Sequence, residues 1–125
     1  MPNSDAPKWL RPLGQEVRML PAGQWWDAVR VPLPTGTRIL EHLGPHTGAV
    51  IEDGYGGVLY WLVPPGDAAD WNLPPARILG PGSHLAVPPR HRTHAPGLHW
   101  RIPPTRTRHW TDPAHLHTAL RRALP

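Results

Sequence analysis

The residues best suited to chemistry in this chain are basic. Arg90, Arg92, Arg101, Arg106 and Arg108 lie close together in sequence, interleaved with His99, Trp100 and Trp110. Guanidinium groups bind phosphate and aromatic rings stack on bases, so this mixture points to a nucleic-acid surface. The plainer reading is that Trp100 belongs to the core and the arginines only solvate the surface. The histidine pairs His91/His94 and His115/His117 invite a metal. On a helix, however, His115 and His117 fall on different faces, and no carboxylate-rich loop joins them, so no metal site is expected. Glu52 and Asp53 read as turn residues rather than acid/base catalysts. No Ser/His/Asp ordering, phosphate-binding glycine loop or nucleophile elbow is present. We therefore expect no catalytic residue and no cofactor.

The charge is placed asymmetrically. The chain carries a formal +4. Residues 1–71 hold five basic and eight acidic side chains, whereas residues 72–125 hold eight arginines and only Asp112. Seven of the nine histidines also lie in the second part. A basic half of this kind suits an acidic partner, with nucleic acid the commonest, and is equally what a solvated surface looks like. The near-exclusive use of arginine, with Lys8 the only lysine, also matches the codon bias of a GC-rich genome. There is no cysteine, so disulfides and thiolate metal sites are excluded. The opening residues have no basic-then-apolar signal layout, and no apolar stretch is long enough to span a membrane. The expectation is a cytoplasmic protein with no membrane partner.

With 125 residues, the chain is long enough for one domain. Its longest apolar run, residues 56–63, has a glycine pair at its start and is followed by Pro64-Pro65. Leu59, Trp61 and Val63 alternate with Val58, Tyr60 and Leu62, so both faces are apolar, as in a strand covered on both sides. Residues 48–52 read as its partner strand through an Asp53-Gly54 turn. Further strands are expected at 23–31, 76–79, 83–87 and 98–102. In the last, Leu98, Trp100 and Ile102 should face inward, with His99 and Arg101 in solvent. Helices are expected at 35–43, capped by Thr35, and after Thr111 or Asp112, with Leu116, Ala119, Leu120 and Ala123 on its apolar side. Residues 1–22 read as a flexible lead-in with a short strand near 16–20, and residues 23–125 as the domain. The nineteen prolines and twelve glycines punctuate these runs. The economical architecture is α+β: a single mixed or antiparallel sheet with two helices on one face.

Three pieces then follow in order: Gly56-Gly57 with its aromatic strand and proline pair, residues 80–89 (GPGSHLAVPP), and Gly97-Leu98-His99-Trp100. This series resembles the second half of the bifunctional DNA primase/polymerase amino-terminal domain, of the archaeo-eukaryotic primase superfamily. The likeness covers roughly residues 48–102 and implies an RRM-like α+β half-core. Active members of that family carry a one-spaced acidic pair for two metals. Here Glu52 and Asp53 are adjacent and point to opposite faces of a strand, so they cannot form that pair. Leu59 stands where the family has a phosphate-contacting histidine, and Arg77 and Leu79 occupy the region of its third acid. The resemblance thus implies the family's fold without its catalysis.

The leading expectation is a non-catalytic nucleic-acid-binding or replication/regulatory accessory module, using Arg90, Arg92, His99, Arg101, Arg106 and Arg108. The alternatives are a minimal nucleotidyl-transferring enzyme and a protein-binding accessory that uses Trp25-Trp26.

Overall fold

A computed structural model describes residues 7–10 and 15–124. The strands are β1 (Arg18–Pro21), β2 (Asp27–Pro32), β3 (Val50–Asp53), β4 (Val58–Val63), β5 (Arg77–Leu79), β6 (His84–Val87) and β7 (Leu98–Ile102). The helices are α1 (Leu33–Leu43) and α2 (Pro113–Ala123), and a 3-10 turn, Gly44–His46, follows α1. The fold is α+β with antiparallel pairing throughout. Its strands divide between a five-stranded sheet, ordered β5-β2-β4-β3-β7, and a separate pair, β1-β6.

Strand β4 lies in the middle of the large sheet, as its two apolar faces require. Leu59, Trp61 and Val63 pack with Val29, Val31 and the helices through Ile39, Leu43, Leu116 and Leu120. On the other face Leu62 packs with Trp9, Trp26, Trp100, Leu85 and Val87. The molecule therefore has three layers: two helices, the five-stranded sheet, and the β1-β6 pair as a partial roof. The β2-α1-β3-β4 run, with β5 beside β2, is the start of a β-α-β-β-α-β core. The helix such a core places before its last strand is absent here. Residues 64–76 make that connection, and α2 arrives last and packs on α1, where Arg38 donates to the Ala123 carbonyl at 2.8 Å.

Several local expectations are corrected. Helix α1 begins two residues before Thr35: Pro32 is its N-cap, without a side-chain cap, and Pro34 sits in the first turn. Proline is tolerated there because first-turn amides have no partner inside the helix. The Leu33 amide instead donates to the Gly57 carbonyl at 2.8 Å. The β3–β4 connection is not a two-residue turn. Asp53 pairs with Val58, and the four intervening residues are held by the Asp53 carboxylate, which accepts from the Gly56 amide at 3.0 Å, and by Gly57 at φ 68°. Asp112 caps α2, accepting from the His115 amide at 3.4 Å. Thr111 is buried and accepts from the Gly48 amide.

Of the expected lead-in, residues 7–10 and 15–22 are described, and they are tied to the domain. Within them β1 pairs with β6, and Trp9, Leu10, Leu20 and Ala22 are core residues. Trp9 meets Trp26 edge-on at 5.9 Å. Trp9, the one tryptophan of this segment, helps fasten it to the core. No helix among the described residues is long and apolar enough to cross a membrane.

Candidate nucleic-acid interface

The six basic residues singled out above do not share one environment. Strand β7 breaks its alternation: Ile51 pairs with Trp100 but Val50 with Ile102, so Arg101 is an extra residue at a bulge. The bulge moves Ile102 off the Trp100 face; His99, in regular register opposite Glu52, does not face solvent either. It is 4% exposed, its Nδ1 lies 3.0 Å from the Gly97 carbonyl, and its Nε2 lies 3.8 Å from Glu52. Arg101 is exposed, as expected, yet it donates to Glu52 Oε1 at 2.8 Å. Ile102 packs toward the helices and Trp100 toward the roof, so they do not share a face. Arg108 donates to the carbonyls of Pro45 and Thr47 at 2.6 and 2.8 Å, tying its loop to the end of α1. Arg90, Arg92 and Arg106 have no side-chain hydrogen bond or carboxylate partner among the described residues.

The aromatic candidates are also spoken for. Trp100 and Trp26 are fully buried, and the Trp100 ring nitrogen donates to the Pro88 carbonyl at 3.1 Å. Trp110 is 43% exposed, with its ring nitrogen donating to the Trp25 carbonyl at 3.0 Å. Trp25-Trp26 therefore does not present a pair of exposed rings. Glu52 is held by Arg101 and Asp53 by the Gly56 amide, so neither is a free carboxylate. Among the described residues no three His, Asp or Glu side chains are grouped to hold a metal.

Strand register assembles a second basic site from residues far apart in sequence. It lies on the roof side of the large sheet, where β1-β6 leaves the edge uncovered. Arg30 on β2 pairs directly with Arg77 on β5 and with Tyr60 on β4. The three form one row across the sheet. With Leu79, Ser83 and His84 they line a cleft of about 430 Å³. Arg77 and His84 are exposed, and Arg30 and Tyr60 half-buried. No carboxylate lines the cleft, and neither guanidinium is ion-paired among the described residues. Like charges directly opposite on neighbouring strands destabilise a sheet, so an unneutralised arginine pair favours an anion between them. Tyr60 supplies a ring beside that anion site, which suits a base.

These residues lie thirty and seventeen positions apart, and only strand register unites them. The available sequence signal was slight: a single arginine, Arg30, between Val29 and Val31. Comparison with known proteins adds no relative: no protein-family model, curated protein or solved structure matches the chain.

Proposed function

We propose that this chain is a non-catalytic, primase/polymerase-like module that binds nucleic acid through the Arg30–Tyr60–Arg77 cleft, acting as a replication or regulatory accessory in the cytoplasm. The observation that carries this is the opposed Arg30–Arg77 pair, beside an aromatic ring and without a carboxylate in the cleft. Phosphate neutralises the pair, and an unpaired base stacks on Tyr60. Single strands are preferred, because a duplex hides its base faces. Arg90, Arg92 and Arg106 extend the positive field without a committed partner and contribute to long-range attraction. The non-catalytic part is supported by the commitments of Glu52 and Asp53 and by the apolar, fully buried Leu59.

The test is a binding titration against single- and double-stranded DNA and RNA at two salt concentrations. Affinity should favour single strands and fall as salt rises, and Arg30→Ala and Arg77→Ala should weaken it for all sequences alike. Affinity indifferent to both salt and these substitutions would remove nucleic acid as the ligand.

A further inference from the structure

The row that forms the cleft is closed on one side. Read from the sheet edge inward it runs Arg77, Arg30, Tyr60, Ile51, Trp100, each paired with the next across neighbouring strands. Exposure falls along it: Arg77 is exposed, Arg30 and Tyr60 are half-buried, and Ile51 and Trp100 are 0% exposed. The roof is what covers the inner two, through Trp9, whose ring lies 6.3 Å from that of Trp100, and through Leu85 and Val87.

A second boundary is covalent. Strand β5 belongs to the floor and β6 to the roof, and residues 80–83 join them in a tight turn, with the Ser83 amide donating to the Gly80 carbonyl at 3.0 Å. That turn is pinned to the β1–β2 connection: the Ala22 amide donates to the Ser83 carbonyl at 2.8 Å, and Gly23 lies directly against Pro81. A chain entering over Arg77 thus meets buried aromatic packing ahead and the β5–β6 turn to one side.

We infer that this cleft takes the end of a single strand and not its interior. This presupposes the nucleic-acid binding proposed above and adds the topology of the ligand. A strand bound through its middle needs an entrance and an exit; the row opens at the edge beside β5, is covered at Trp100 and is flanked by the β5–β6 turn. The volume of about 430 Å³ is that of a small-molecule site, with room for about one nucleotide. The terminal base lies on Tyr60. The phosphate linking it to the next nucleotide sits between Arg30 and Arg77, whose backbones are about 5 Å apart as direct partners. The rest of the strand leaves over the exposed edge.

The experiment is a competition assay with the full chain, using a labelled linear single-stranded oligonucleotide. The competitors are the same strand unlabelled, a covalently closed circle of identical sequence, and a nucleoside monophosphate. The linear strand should compete about tenfold or more better than the circle or the mononucleotide, and Arg77→Ala should erase most of that advantage. A circle that competes as well as the linear strand, with both weakened by Arg77→Ala, overturns end recognition while nucleic-acid binding stands. A mononucleotide that competes equally well also overturns it, since the exiting strand then contributes nothing. If no labelled strand binds at all, nucleic-acid binding fails and end recognition fails with it.

Discussion

Arg77→Ala should move stability and binding in opposite directions. Arg77 is exposed on edge strand β5 and directly opposite Arg30, with no carboxylate partner among the described residues. Removing it relieves a like-charge cross-strand pair, worth about 0.2–1 kcal/mol on the scale of such pairs. For a domain of this size that raises Tm by about 1–4 °C. With ligand, the same change removes one charge-assisted phosphate contact. After solvent screening an exposed arginine contributes about 1 kcal/mol, or about fivefold in Kd. It also removes one counterion-releasing contact, so the log–log salt slope for single strands flattens by about 0.7. Thermal melts in low and high salt, paired with anisotropy titrations, measure both. The stability gain should shrink in high salt, because screening already weakens the repulsion. A variant that melts several degrees below the parent would refute the reasoning, since Arg77 would then be holding the fold rather than waiting for an anion.

Leu59 is fully buried between α1 and the sheet, and Gly36 comes so close that an added Cβ would lie 2.5 Å from Leu59 Cδ1. Leu59→Asp should therefore cost several kcal/mol and abolish the cooperative melt, because an unpaired charge has no partner there. A circular-dichroism melt like the parent's would contradict that burial. Arg108→Ala, which deletes two hydrogen bonds to backbone carbonyls, should lower stability by about 1–2 kcal/mol while changing nucleic-acid affinity little. Denaturant unfolding and titration of the same sample separate these effects. Purified protein with magnesium or manganese should not extend a primer, given the commitments of Glu52 and Asp53. Template-dependent incorporation abolished by Glu52→Ala or Asp53→Ala would show otherwise.

Local pattern alone determined the α+β class, the interior position of β4 and the apolar side of α2. These rest on the alternation of residues 58–63 and on the Leu116/Ala119/Leu120/Ala123 stripe, where side-chain period dictates which face is buried. The sequence also carried the basic bias of residues 72–125, because charge is a property of composition. Where those charges end up was decided only in three dimensions. His99 looked like a solvent residue on an alternating strand, but pairing with β3 sets it opposite Glu52 and buries it, while the bulge at Arg101 moves Ile102 off the Trp100 face, and both register and bulge depend on the partner strand. Arg108 looked free until its loop met the carbonyls after α1. Trp9 and Leu10 looked like a lead-in because nothing local says that β1 returns to pair with β6 more than sixty residues later. The cleft itself was invisible for the same reason. Arg30, Tyr60 and Arg77 become neighbours only because β2 is placed between β4 and β5 in one particular register, and pairing between distant strands is a tertiary event that no local period encodes.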